Sequence, residues 1–209
     1  MRPLKYAISD WAAFLLYSWL QLCLTWHLWG QVSWGAVVAL TVIAYVLMDL
    51  VSGIVHWGAD TWGRQDFPVL GPMFLAPFRI HHLYPRAMVR HGLVESSGNT
   101  CWLAVPVLVA AIFLPPLWAT FLVSLTSFGV LVNNAHRWAH GRLPWALSWW
   151  GPRLVLVSAR HHDIHHETPG HTRNYCVLAG WWDPVLNRVL PWAERTITYI
   201  TGAVPRGDA

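Results

Sequence analysis

Four apolar stretches run through the first part of the chain, and they limit what it can fold into. A helix needs about 20 apolar residues to cross the hydrocarbon core of a bilayer, where its backbone polar groups must be paired internally. The two later stretches are short and meet at a Pro-Pro pair. We therefore predict an all-α integral membrane protein with about four transmembrane helices, the last two forming a tight hairpin. The stretches are roughly Trp11–Trp29, Trp34–Val55, Cys101–Leu114 and Leu117–Val132.

Composition favours the same class of protein. Charged residues make up 11% of the chain, less than half of the roughly 25% that is usual in soluble domains. Many of the 16 tryptophans stand at the ends of apolar runs, as in the aromatic belts of membrane proteins. A Trp-rich soluble core is the less favoured alternative. The three cysteines have no CxxC spacing, which predicts neither a disulfide framework nor a thiolate zinc site.

The basic residues predict an orientation in the membrane. All 14 Lys and Arg residues lie in segments 1–10, 58–100 and 133–209, and none lies in the two short loops on the opposite side. The positive-inside rule therefore places both termini and both long polar segments in the cytoplasm, in a bacterial inner membrane or the endoplasmic reticulum. The net charge of +4 suits an anionic leaflet, and we find no nucleic-acid motif. We expect a single membrane domain over residues 1–209, with a retained N-terminal span at 11–29 and a frayed tail at 199–209.

Histidines are concentrated in the predicted cytoplasmic segments. Of the 12 histidines, all but His27 lie there or in the last turn of the second span. Several pairs have the i, i+4 spacing that puts side chains on one helical face. The four groups are Asp49, His56 and Asp60; then His81, His82, His91 and Glu95; then Asn133, His136 and His140; and finally His161, His162, His165 and His166.

This grouping predicts a metal site. A lone histidine such as His27 is usually structural, but imidazole is also a common ligand of iron, zinc and copper. Nine or more histidines exceed the three or four ligands of a zinc site, which favours two metals. The scarcity of carboxylates suggests iron that activates oxygen. Asp60 could bind a metal, orient a ligand imidazole, or pair with an arginine at the helix end, and His171 could support the ligands or be structural.

Four sequence motifs resemble those of a known family. They are "SGIVHWGADTWG", "PFRIHHLYPRAMVRHGLVESSGN", "NNAHRWAH" and "RHHDIHH" followed by "YCVLAGWWDPVLNRV". In order and spacing they are similar to the plasmanylethanolamine desaturase family, which is related to the plastid phosphatidylglycerol desaturase of plants. The resemblance covers about residues 45–195, the expected extent of a lipid desaturase domain. The chain departs from the family's usual pattern at Tyr84 and Gly92, where an acidic residue is common.

The resemblance implies a membrane-bound, O2-dependent lipid desaturase with two iron ions. Such an enzyme converts the 1-O-alkyl chain of plasmanyl phospholipids to the vinyl ether of plasmalogens, and an electron-transfer protein of the cytochrome b5 or ferredoxin type supplies electrons. It also implies that Asp60 and His91 act at or beside the metals. The metal ligands that it implies are His56, His81, His82, His136, His140, His161, His162, His165 and His166.

Three other functions stay open at this point. A fatty-acyl phospholipid desaturase or hydroxylase would use the same metal site on another lipid chain. A zinc-dependent membrane hydrolase would need only three protein ligands and an open water position. A non-catalytic metal transporter or regulator is disfavoured, because the predicted spans contain few polar residues.

Overall fold

The computed structural model describes residues 4–149 and 151–206, and within these ranges every regular element is helical. Four of the helices are long and apolar enough to cross a membrane. The prediction of an all-α membrane protein with about four transmembrane helices is therefore confirmed. These helices are α1 (Leu4–Leu28), α2 (Trp34–Thr61), α4 (Leu93–Ala111) and α5 (Pro116–Ala139).

The long helices extend beyond the apolar stretches that reveal them. Helix α4 begins at Leu93 rather than near Cys101, with Glu95 in its first turn, where the helix dipole favours a negative charge. Helix α2 continues past Val55 to Thr61, and α5 continues past Val132 to Ala139. The extensions of α2 and α5 carry His56 and His136, and the extension of α4 carries Glu95.

Shorter helical elements connect and follow the long ones. Helix α8 (Ala159–Glu167) begins after Ser158, whose hydroxyl accepts the His161 backbone N–H at 3.2 Å. Helix α9 (Asp183–Thr201) is followed by Gly202, which has φ of 69° and donates its N–H to Thr198 O, as is usual at a helix C-terminus. The short elements are a π-helical turn Gly71–Leu75, α3 (Ala76–Leu83), a 3-10 turn Pro85–Arg90, α6 (Trp145–Ser148), α7 (Gly151–Leu154), α8 (Ala159–Glu167), a 3-10 turn Pro169–His171 and α9 (Asp183–Thr201).

The chain folds into two compact units, and the first comprises residues 1–48 and 91–134. In this unit α1 packs on α4 through small and aliphatic residues that include Ala13, Leu20 and Leu108. Gly98 makes the close approach possible, because a Cβ at this position would overlap the Asp10 carboxylate. The predicted single membrane domain stays a prediction, and residues 207–209 of the predicted frayed tail lie outside the described residues.

The second unit comprises residues 49–90 and 135–209, and a buried carboxylate organises part of it. Asp49 is fully buried in α2. Its two oxygens accept backbone N–H groups at 2.8 to 3.3 Å from four consecutive residues just before α9. One side chain thus fastens the start of α9 to α2. The four donors are Ala179, Gly180, Trp181 and Trp182.

We expect Asp49→Ala to destabilise the protein strongly. The substitution removes the acceptor of four N–H groups, and each buried donor left without a partner costs about 1–3 kcal/mol. A loss on the order of 3 kcal/mol or more is expected, measured as a lower thermal midpoint in detergent. Asp66→Ala is the control, because Asp66 pairs with Arg64 at the surface and such pairs contribute little. Equal midpoints for the two variants would contradict the assigned role of Asp49.

Candidate metal centre

Nine potential ligands converge in the second unit as two adjoining groups. Within each group, the candidate ligand atoms all lie within 4.8 Å of one another. We call them the five-histidine group and the Asp60 group. The five-histidine group contains His81, His136, His140, His162 and His166, and the Asp60 group contains His56, Asp60, His82 and His165.

Helical spacing explains how so few elements supply so many ligands. His56 and Asp60 in α2, and His162 and His166 in α8, are i, i+4 pairs that share a helical face. His165 of α8 belongs to the Asp60 group, whereas His162 and His166 of the same helix belong to the five-histidine group. His81 and His82 are consecutive in α3 and likewise divide between the groups, so both α3 and α8 contribute to both.

In the Asp60 group, the Nε2 atoms of two histidines face a carboxylate. His56 Nδ1 donates to the backbone oxygen of Tyr175 at 2.8 Å, and His165 Nδ1 donates to that of Arg173 at 2.7 Å. In a neutral ring, a proton on Nδ1 leaves Nε2 as a lone-pair donor. These Nε2 atoms lie 3.3 and 3.5 Å from Asp60 Oδ2.

The arrangement in the Asp60 group is unfavourable without a cation. His56 and His165 are fully buried, and neither oxygen of Asp60 has a hydrogen-bond partner among the described residues. Acceptors that face one another away from water cost free energy. His82 Nε2 lies 3.3 Å from His165 Nε2 and can donate to it, but the His56 Nε2 and both Asp60 oxygens are left without a partner among the described residues. The Asp60 group could therefore hold a metal ion.

The five-histidine group also brings ring nitrogens together. The Nε2 atoms of His136 and His140 are 3.3 Å apart, those of His140 and His162 are 2.9 Å apart, and those of His162 and His166 are 3.2 Å apart. The buried Nε2 of His81 has no hydrogen-bond partner in the described part of the chain. Lone pairs that converge in this way could hold a second metal ion.

Burial lowers the pKa values of four histidines of the centre. It lowers the pKa of His140 to about 4 and the pKa of His166 to about 3. Burial, together with the neighbouring imidazoles, also moves the pKa values of His81 and His162 well below the ordinary range. At neutral pH these rings carry no charge, and the neutral ring is the form that binds metal ions.

Three other histidines named by the sequence lie outside both groups. His161 Nε2 donates to Asp183 Oδ2 at 2.6 Å, and His91 Nδ1 lies 2.6 Å from Glu95 Oε1. His171 lies beside the Asp60 group, with its ring centroid 4.0 Å from that of His82. The structure brings together the other eight predicted histidine ligands and Asp60. The predicted roles of His161 and His91 stay predictions from sequence.

Comparison with known proteins identifies the family. The domain family described as the lipid desaturase domain matches residues 45–208. The chain belongs to the lipid desaturase family. This lipid desaturase is 38% identical over 208 residues to plasmanylethanolamine desaturase of Myxococcus xanthus, covering 94% of this chain and 74% of that relative. It is 37% identical over 190 residues to plasmanylethanolamine desaturase 1 of Mus musculus, covering 82% and 69%.

The similarity also reaches plant proteins. The lipid desaturase is 31% identical over 174 residues to chloroplastic fatty acid desaturase 4 of Arabidopsis thaliana, covering 78% of this chain and 52% of that relative. No solved structure matches the chain. The resemblance inferred from the four motifs is confirmed, and with it the assignment of an oxidoreductase that acts on lipid.

The lipid desaturase has further polar residues beside the site that the sequence motifs did not single out. Arg206 donates to Glu194, to the Tyr175 hydroxyl and to the backbone oxygen of Gly170. Asp183 accepts from both His161 and the Cys176 backbone N–H. Pro184 after Asp183 signals a helix start, but no local signal indicates the contacts of Arg206.

Proposed function

We propose that this lipid desaturase converts the 1-O-alkyl chain of a plasmanyl phospholipid to a vinyl ether, using O2 and two iron ions. The two lone pairs facing the Asp60 carboxylate support the metal requirement. Relatives that are 38% and 37% identical and are named plasmanylethanolamine desaturases support the substrate. In the balanced reaction, R–O–CH2–CH2–R′ + O2 + 2e⁻ + 2H⁺ gives R–O–CH=CH–R′ + 2H2O.

The two groups of residues divide the ligand roles. In this proposal, the five-histidine group holds one iron ion and the Asp60 group holds the other. Iron supplies the activation of O2 that allows hydrogen to be removed from unactivated C–H bonds. Asp60 contributes the one anionic ligand, and it reduces the positive charge in a buried site.

Other parts of the chain prepare the ligands. The backbone oxygens of Arg173 and Tyr175 hold the Nδ1 protons of His165 and His56, which directs each Nε2 inward and fixes the ring orientation. Burial of these histidines keeps water from the reacting atoms.

Three histidines form the less buried edge of the centre. His82, His140 and His166 are partly exposed, whereas the other histidines of the two groups are buried. The lipid chain approaches along this partly exposed edge. The charge partition in the sequence supports a cytoplasmic location for the edge and for both termini, where a cytochrome b5 or ferredoxin-type protein delivers the electrons.

A direct test uses cells that make no plasmalogens. We expect cells that express the protein and receive an alkyl phospholipid to accumulate an acid-labile vinyl ether, measured by lipid mass spectrometry. Cells with His165→Ala are the control and should accumulate none. A new acyl double bond without a vinyl ether would favour the second candidate, a fatty-acyl desaturase, which the name of the Arabidopsis relative supports. About one zinc per purified chain and no lipid product would contradict both candidates.

A further inference from the structure

A short segment joins the protein surface to the Asp60 group. We call residues 171–176 the connecting segment. The side chain of Arg173 is exposed, yet its backbone oxygen accepts the Nδ1 proton of His165 at 2.7 Å. Two residues further on, Tyr175 is buried and accepts the Nδ1 proton of His56 at 2.8 Å. A single hydrogen bond therefore separates an exposed residue from a buried candidate ligand.

This connection matters because the proposed reaction consumes two electrons that the protein does not hold. Electron tunnelling weakens steeply with distance, and bonded paths carry it better than gaps between atoms. A path through the Arg173 backbone and one hydrogen bond to His165 is short and continuous. The Tyr175 backbone and His56 provide a parallel path into the same group.

Side-chain amides hold the connecting segment against α8 and α9. Asn174 donates its backbone N–H to Asn187 Oδ1 at 2.9 Å and receives the Asn187 amide at 2.9 Å. The Asn174 amide also donates to the backbone oxygen of His161 at 3.0 Å. Asn174 has φ of 56°, in the left-handed region that asparagine tolerates better than most residues. The path is thus anchored by groups on two helices.

Exposed arginines surround this anchor. Arg160 precedes His161, Arg173 precedes Asn174, and Arg188 follows Asn187, and all three arginines are exposed. Exposed Arg195 lines a cavity of about 260 Å³ together with Thr172 of the connecting segment. We call these four residues the basic face: Arg160, Arg173, Arg188 and Arg195.

The basic face keeps a positive charge after its acidic neighbours are considered. Glu167 lies 3.6 Å from Arg160, and Asp163 is partly buried on the same helix. Glu194, which also lines the cavity, is bound by Arg206 at 2.6 Å, so Arg206 rather than Arg195 neutralises it. Asp183 is buried. The remaining positive charge complements an acidic surface and would accelerate its encounter.

We propose that an acidic one-electron carrier protein docks on the basic face, and that electrons pass through the connecting segment to His165 and His56. This inference rests on the proposed function, which requires the electrons. In each turnover two reduced carriers are oxidised, and their two electrons, with two protons from water, complete the reduction of O2 as the lipid chain loses two hydrogens.

The test compares carrier-driven and chemically driven turnover. Full-length iron-loaded protein in phosphatidylcholine nanodiscs receives an alkyl phospholipid, O2 and either a reduced plant-type ferredoxin or the reduced soluble domain of cytochrome b5, both of which are acidic. Dithionite replaces the carrier in a parallel reaction. The variant is Arg188→Glu and Arg195→Glu combined. The matched control is Arg86→Glu, an exposed arginine of the Pro85–Arg90 turn.

We expect the combined variant to lower kcat/KM for the carrier by about tenfold or more and to weaken carrier binding measured without turnover. The dithionite-driven rate should stay within about twofold of the wild-type rate. Higher salt should reduce the wild-type rate and leave the variant nearly unaffected, because salt screens exposed charges. The control variant should behave as the wild type does in every assay.

Three results would overturn the docking site. The first is unchanged carrier kinetics in the variant, and the second is a wild type that dithionite drives but neither carrier does. The third is a combined variant that loses as much activity with dithionite as with the carrier, by an amount that depends on anionic lipid in the nanodisc. This result would assign the arginines to binding lipid headgroups. If dithionite and both carriers all fail to drive the wild type, the proposed function itself fails.

Discussion

Replacing His165 with alanine is expected to remove the metal ion of the Asp60 group and to reduce vinyl-ether formation by at least about 100-fold. His165 Nε2 lies 3.3 Å from His82 Nε2 and 3.5 Å from Asp60 Oδ2, so alanine deletes a central donor. Only three of the four ligands of the group remain, so an ion is bound more weakly. Iron per purified chain and vinyl ether per cell measure the two effects.

The matched control for this prediction lies on the same helix. His161 is four residues before His165, but its Nε2 donates to Asp183 instead of facing either group. His161→Ala should therefore retain its iron, and we expect its activity to stay within about threefold of the wild type with a lower thermal midpoint. Equal iron loss in His161→Ala and His165→Ala would contradict the assignment of His165 as a ligand and of His161 as a residue that only anchors α8.

Asp60→Asn is expected to have an effect of similar size. Asparagine keeps the shape of the side chain but removes the only negative charge of the two ligand groups. We expect the iron content to fall by about half and vinyl-ether formation to fall at least about 100-fold. Metal analysis and lipid mass spectrometry measure these losses. Asp66→Asn, at an exposed carboxylate paired with Arg64, should change neither quantity.

In the metal-free protein, Asp60→Asn should not lower the thermal midpoint. In the metal-free protein the Asp60 carboxylate faces two unprotonated nitrogens, and the asparagine amide can donate to one of them. The metal-free variant should therefore melt at the same temperature as the metal-free wild type or higher. A lower midpoint would indicate that Asp60 acts as a structural partner of a protonated histidine rather than as a metal ligand.

Hydropathy predicted the number and type of the long helices but not where they end. The apolar stretches stop at Val55 and Val132, whereas the backbone hydrogen bonding of the helices continues to Thr61 and Ala139. Helix α4 likewise begins within a polar sequence, at Leu93. Apolar composition predicts the part of a helix that can cross a membrane. The ends of the helix depend instead on capping residues and on packing.

Spacing predicted most of the candidate ligands but could not divide them. The i, i+4 rule treats His161 and His165 in the same way as His162 and His166, and only packing against Asp183 turns His161 away. The role of Asp49 is also absent from local sequence, because its four donors lie some 130 residues further along the chain. Contacts of this length depend on how the whole unit folds.

The division of α3 and α8 between the two ligand groups also has an evolutionary consequence. Because His81 and His82 are consecutive and serve different groups, a one-residue insertion within α3 would rotate both rings away from their partners. An insertion between His162 and His165 would separate the two groups in the same way. Relatives of this desaturase should therefore differ in length in the connections outside these helices, and the two metal positions should be gained or lost together.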